Sequence, residues 1–317
     1  MTTIAGTSPR IRVEWGSTAE SLGTVLRAAL DLLDTGGRIR LVGPDEPADV
    51  VHSVGKGPAD DAEGSAVRRV HTVPLVPLRR GRTAPARWWA RHERRRAGAR
   101  TTWLAHGRVA AGLLVASGAA RGDLVHWLPI VAPVECWPTN RVDRAAVRAR
   151  LGVAPGVALV LECLSPDAPQ SVGDWATRVG PRRTDVLALT CTTRAPAEDD
   201  LSFTELLAAA DLFVAGRRGL TAENPGVAAV AAGVPVVAVT TDSTAELVRS
   251  GRNGFVVPPD PAAVADAVRA YLDGQLPYGC ARVPSAGTEP VLEELARGLL
   301  RAYHCALIHG GRRGPDR

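Results

Sequence analysis

Short β-branched runs alternate along this chain with stretches whose apolar residues recur every three or four positions. Residues 11–15, IRVEW, read as a first strand. Leu22, Val25, Leu26, Ala29, Leu30 and Leu33 follow at the spacing of one helix face. Ser17-Thr18-Ala19-Glu20 ahead of them is a capping box, in which a hydroxyl and a carboxylate satisfy amide N–H groups left open at a helix start. Gly36-Gly37 ends the helix through the left-handed region open to glycine. Residues 38–42, 50–54 and 67–73 predict further strands. Residues 101–105 predict another, followed by a helix to about Ser117 and a strand over 124–131.

The segment PIVAPVECWPTN, residues 129–140, is proline-rich and has no period, which predicts an interdomain linker. A second alternating series then begins. Residues 157–163, 186–190, 212–215 and 234–239 read as strands, and Ser202-Phe203-Thr204-Glu205 caps a short helix. Ser243-x-x-Glu246 predicts the opening of another helix. Asp260-Pro261 opens the next, with aspartate as cap and proline at the first helical position. A last helix spans about 289–307, with Leu292, Leu295, Ala296, Leu299, Leu300 and Tyr303 as its buried stripe.

Strands joined by short amphipathic links build parallel sheets. The pattern therefore predicts an α/β protein of two Rossmann-like domains facing a cleft. The N-terminal domain covers 1–135, the C-terminal domain 136–288, a closing helix 289–309 and a disordered tail 310–317. Ligands of such sheets lie beyond the carboxyl ends of the strands, and two domains place the natural site between them.

At 317 residues with 45% hydrophobic content, the chain can bury two cores of ordinary size. No apolar run is long enough to cross a bilayer, and the N-terminus lacks the layout of a secretory signal. The five cysteines are far apart and form no C-x-x-C pair, which argues against a metal site and a disulfide framework. The expectation is a cytoplasmic protein with reduced thiols. The net charge of +5 is unevenly spread. Residues 79–100 hold nine arginines against Glu93 alone, so the remainder of the chain is mildly acidic. Lys56 is the only lysine, so chemistry that needs a lysine has one candidate.

Residues 206–274 carry a series of short motifs in register: Ala210-Asp211, Gly233-Val234-Pro235-Val236-Val237, Glu246-Leu247-Val248, Gly251-Arg252-Asn253-Gly254 and Asp260-Pro261. In this order and spacing they resemble the second domain of retaining GT-B glycosyltransferases of the family-4 type, also called group 1 glycosyl transferases. Ala48-Asp49-Val50-Val51-His52, Val70-His71-Thr72, Leu128-Pro129 and Arg150-Leu151-Gly152-Val153 fit the first domain and the passage between the two. The resemblance implies a GT-B fold and transfer of a hexose, with retention, from a nucleotide diphosphate sugar to an acceptor the sequence does not name. It implies no metal and no other cofactor, because protein groups stabilise the leaving diphosphate in this fold.

The donor-site pattern of that family is degenerate here. The positions of its arginine and lysine fall at Cys163 and within 168–170, and those of its two glutamates at Leu220 and Ala228. Arg217 and Arg218 could meet the diphosphate through forked hydrogen bonds. Thr221, Glu223 and Asn224 could meet sugar or ribose hydroxyls, and the turn at Gly226 could present amide N–H groups to an anion. His71, at the end of a strand, is the candidate catalytic group, a neutral imidazole for a sugar hydroxyl or the reacting phosphate. Ser17 and Thr18 are candidates on the acceptor side. For each residue the plain alternative is a solvated side chain, a helix cap or a satisfied core histidine.

The arginine-rich segment 79–100 has three readings, in decreasing order of weight. It is a solvated loop, a peripheral contact with an anionic membrane through Trp88 and Trp89 at the inner membrane face, or a nucleic-acid contact. The rival to an active transferase is a catalytically degenerate GT-B protein that binds a partner or a sugar.

Overall fold

The computed structural model describes residues 8–16, 20–55, 68–73, 75–77, 101–132, 142–164, 173–180, 183–192, 200–216, 219–221, 224–274 and 288–309. The chain divides into two compact units. One comprises Met1–Val76, Ala84–Pro129 and Thr288–Arg317, and the other Pro77–Thr83 and Ile130–Gly287.

The first unit holds strands β1 (Arg10–Trp15), β2 (Arg40–Leu41), β3 (Val50–Val54), β4 (Arg68–Val73), β6 (Thr102–His106) and β7 (Val125–Leu128), together with the start of β5 (Leu75–Pro77). Six of them form a parallel sheet in the order β2-β1-β3-β4-β6-β7. Helix α1 (Glu20–Thr35) follows β1, and α2 (Arg108–Ala116) links β6 to β7. Val25, Leu26, Ala29, Leu30 and Leu33 of α1 are buried, as the helical spacing predicts. The final helix, Thr288–His309, buries Leu295, Ala296, Leu299, Ala302, Tyr303 and Ala306. It packs on the same sheet face as α1: Val13 pairs with His52, and His52 bonds Tyr303 of that helix. The segment read as one strand over 124–131 is a 3-10 turn, Gly122–Leu124, followed by the shorter β7.

The second unit holds β8 (Ala158–Leu164), β9 (Val186–Thr192), β10 (Leu212–Ala215), β11 (Gly219–Thr221), β12 (Val236–Val239) and β13 (Gly254–Val257). Five of these form a parallel sheet in the order β13-β12-β10-β8-β9. Its helices are α3 (Arg144–Arg150), α4 (Trp175–Val179), α5 (Phe203–Ala209), α6 (Pro225–Ala231) and α7 (Pro261–Leu272), and the closing helix of the first unit becomes α8. Apolar residues fill both sheet faces. Leu161, Phe203, Phe213 and Val236 lie in one cluster, and Val160, Trp175, Val214, Val237 and Val264 in another.

Local sequence chemistry accounts for the helix starts. Ser202 and Glu205 form the reciprocal capping box of α5. Asp260 Oδ2 accepts from Ala263 N–H ahead of Pro261 in α7. Ser243–Glu246, read as the opening of a longer helix, is a four-residue 3-10 turn capped by Asp242. The chain reaches β13 eight residues later and has no room for more. Gly254, at φ 154°, passes directly over the Val236 carbonyl, so a Cβ there would collide with backbone.

Asp211 joins three pieces of the second unit at the amino end of its sheet. Its carboxylate accepts from Arg148 Nη1 at 2.9 Å, from Leu159 N at 2.8 Å and from Arg144 Nη2. The same two guanidiniums also reach the carbonyls of Ala208, Ala209 and Ala210 at the end of α5. The Ala-Asp step is thus a structural clamp between α3, α5 and β10, with its charges paired and hydrogen-bonded.

Candidate functional site

At the carboxyl edge of the second unit's sheet, β12 ends at Val239 and is followed by a run of buried polar residues: Thr241, Asp242, Ser243 and Thr244. Beside it, α6 begins at Asn224, itself only 1% exposed. Asn224 Nδ2 donates to Asp242 Oδ1 at 2.6 Å, and the same oxygen accepts Thr244 N–H at 2.8 Å. Asn224 Oδ1 accepts Gly226 N–H at 2.9 Å, and Asn224 N–H donates to the Val131 carbonyl at 3.0 Å. One carboxylate therefore locks the approach to α6 onto the turn after β12. This satisfies buried donors that would otherwise be costly.

Gly226 belongs to the same knot. A Cβ at this position would run into Thr244 Oγ1, so the close passage of α6 over the turn requires glycine. Thr244 Oγ1 itself is buried and has no hydrogen-bond partner among the described residues.

This geometry locates part of the expected donor set. The Asn224 side chain is committed within the protein, as helix cap and as donor to Asp242. The Gly226 N–H, expected to face an anion, is taken by Asn224 Oδ1. Thr221 ends β11, and its side chain lies outside the described residues. Arg217, Arg218 and Glu223 lie outside them as well, as do Ser17, Thr18 and the segment 79–100. Cys163 and Ala228 are both buried in the apolar cluster that holds Leu161 and Phe213.

Glu162 is a further buried carboxylate on β8, 6% exposed, and accepts from the Trp175 indole N–H at 2.9 Å. Neither Glu162 nor Asp242 is marked by sequence period. The available signal was an acidic residue inside, or just past, a buried apolar strand.

In the first unit the polar groups lie within the sheet. His71 of β4 is buried, with Nδ1 2.9 Å from Ser53 Oγ and its ring edge-on to Trp103 at 5.3 Å. His52 of β3 is held by Tyr303 Oη at 2.8 Å and Thr72 Oγ1 at 2.7 Å. Burial, assisted by the neighbouring His71 and His106, lowers the His52 pKa to about 3. Burial likewise lowers His106 to about 4, against a smaller opposing effect of its bond to the Pro129 carbonyl. That bond, 2.8 Å from His106 Nδ1, fixes the tautomer, because a carbonyl only accepts. Both imidazoles are therefore neutral at pH 7. Burial also pushes the Tyr303 phenol well above its ordinary value.

Residues 184–274 match the family model of glycosyl transferases group 1. Comparison with curated proteins finds no match. Among solved structures, the chain resembles HepE (Alr3699) from Anabaena in complex with UDP-glucose, at 15% identity and a TM-score of 0.59, over 95% of this chain and 99% of that one. It also resembles a glycosyltransferase from Rickettsia africae, at 11% identity and a TM-score of 0.56, over 96% and 94% of the two chains. WaaG, a glycosyltransferase involved in lipopolysaccharide biosynthesis, aligns at 13% identity with a TM-score of 0.51, over 96% and 100%. The two Rossmann-like α/β units thus have the GT-B fold. Among the described residues no helix is long and apolar enough to cross a membrane.

Proposed function

We propose that this protein is a glycosyltransferase that takes a hexose from a nucleotide diphosphate sugar and passes it, with retention, to an acceptor. The observation that carries this reading is the group 1 match over 184–274, the stretch that holds β10, α6 and the locked turn after β12. The GT-B fold supports it, and so does UDP-glucose in the structure of HepE.

In this reading the donor lies beyond β10 and β12, where ligands of parallel sheets bind. The Asn224–Asp242 lock holds the rim of that site rigid rather than touching the donor. Arg217 and Arg218 take the diphosphate charge, so no metal cofactor is needed. Thr221 and Glu223 meet the sugar or ribose hydroxyls. His71, the catalytic candidate, is 2% exposed and bonds Ser53, so in this reading it orders the sheet beneath the acceptor side, and the acceptor meets Ser17 and Thr18. The protein acts in the cytoplasm, and 79–100 is its candidate for a peripheral contact with anionic membrane, behind the reading of a solvated loop.

A second reading is favoured by one specific observation. Cys163 and Ala228 occupy places where the resembling family carries charged donor-site residues, and both are packed into apolar core. A GT-B protein that binds without transferring fits those two positions equally well.

Calorimetry with UDP-glucose and GDP-mannose separates the readings when paired with a transfer or donor-hydrolysis assay. Binding weakened about tenfold or more by Arg217→Ala or Arg218→Ala, together with sugar release, supports the transferase. Binding without turnover supports the second reading, and no binding removes both donor-based accounts.

A further inference from the structure

Among the described residues, the outer edge of β1 is only half covered. β2 pairs with it at Arg10↔Arg40 and Ile11↔Leu41, and one more bond runs from Val42 N–H to the Ile11 carbonyl. The turn Gly43-Pro44-Asp45-Glu46 then draws the chain away. Arg12 Nη1 donates to the Pro44 carbonyl at 3.0 Å, and Glu46 Oε1 accepts Gly43 N–H at 3.0 Å.

Alternate residues of a strand present their amides to the same edge. Arg10 and Gly16 face β3, since the Arg10 carbonyl accepts from Asp49 N–H and Gly16 N–H donates to the Val54 carbonyl. Ile11 faces outward, through its bond with Val42. Val13 and Trp15 therefore turn their N–H and C=O groups outward too, at a level where β2 has already ended.

A cavity of about 300 Å³ opens at this bare edge. Ile11, Val13, Leu30 and Leu41 supply its apolar wall. Trp15, with the Arg27 guanidinium 4.6 Å from its ring centre, and Asp31, one helical turn beyond Arg27, complete the polar part of the lining. The Asp31 carboxylate has no hydrogen-bond or ion-pair partner among the described residues.

We propose that this slot takes an extended peptide, added as a short strand beside β1 where β2 leaves off. Outward N–H and C=O groups of an edge strand are a ready template for another chain, and a side-chain cavity beside them supplies selectivity. The cavity has room for one or two aliphatic side chains, and Asp31 fits a lysine or arginine two positions along from them, on the same strand face. The site lies wholly within the first unit and does not depend on the sugar-transfer reading.

The test uses the full-length protein and a defined probe, acetyl-Val-Thr-Lys-Thr-Val-amide, whose valines and lysine share one strand face, followed by backbone amide chemical shifts. The expected result is saturable movement of the Val13 and Trp15 amides with a Kd below about 1 mM. Val13→Pro removes an outward donor without touching a bond to β3, and binding should weaken about tenfold. Leu41→Trp fills the cavity from β2 and should abolish binding, which keeps the test decisive if the proline variant fails to fold. Asp31→Asn should weaken the lysine peptide about threefold and leave a peptide with threonine in place of lysine unchanged. Unchanged binding in Leu41→Trp, or shifts confined to other residues, overturns the proposal. So does saturation of the same amides by uridine but not by the peptide, which would make the slot a base site.

Discussion

The two units carry buried polar groups near the carboxyl edges of similar parallel sheets, but they use them in opposite ways. In the first unit, imidazoles lie within or at the end of strands and bond hydroxyls and a carbonyl: His52 with Tyr303 and Thr72, His71 with Ser53, His106 with Pro129. In the second, a carboxylate lies beyond the strand and ties two loops together through Asn224 and Thr244. The first arrangement fixes the sheet and is sensitive to protons. The second fixes loops and depends on one side chain. Parallel sheets of one topology class thus reach rigid carboxyl edges by different chemistry.

Acid should separate the two most strongly. Folding holds His52 and His106 below the ordinary value of 6.5, so between their folded values and pH 6.5 the unfolded chain binds protons that the native state refuses. Their contribution is fully present above pH 6.5 and is lost as pH falls toward about 4 for His106 and about 3 for His52. Each should contribute a loss of roughly 3 kcal/mol by pH 4. Urea unfolding between pH 7 and pH 4 checks this, and His52→Gln should flatten the slope.

Asp242→Ala should cost about 3 kcal/mol at pH 7, because it leaves a buried amide N–H and the Asn224 Nδ2 without an acceptor. Asp242→Asn should recover part of that loss in the same urea measurement. Gly226→Ala should cost about 2 kcal/mol through collision with Thr244 Oγ1. Thr244→Ala alone removes a hydroxyl with no partner and should cost about 1 kcal/mol, and the double variant should recover most of the glycine effect. Tyr303→Phe should be the mildest change, about 1 kcal/mol for one hydrogen bond to His52. A larger cost there than for Asp242→Ala would reverse the comparison.

What was legible in the sequence is what short-range physics decides. The helix face of Val25, Leu26, Ala29 and Leu30, the box at Ser202 and Glu205, and the Asp260-Pro261 start all depend on residues a few positions apart. The two Rossmann-like units and the GT-B fold followed from that alternation and from the motifs of 206–274. The pairs that define the carboxyl edges were not legible. His52 and Tyr303 are 251 positions apart, and no periodicity couples them. Asn224 reads equally well as a helix cap or as a ligand group, and only the approach of Asp242 shows that its side chain is in use. Ser243-x-x-Glu246 suits a capped helix and a single 3-10 turn alike, and the distance left before β13 decides between them.

The central claim is that a nucleotide sugar lies against the carboxyl edge of the second unit's sheet. Amide chemical shifts recorded as UDP-glucose is added to the full-length protein test it most directly. The account predicts saturable shifts concentrated at Gly216, Asn224 and Thr240–Asp242, with the amides of β1 unmoved. Shifts confined to the first unit, or none with UDP-glucose and none with GDP-mannose, would contradict it.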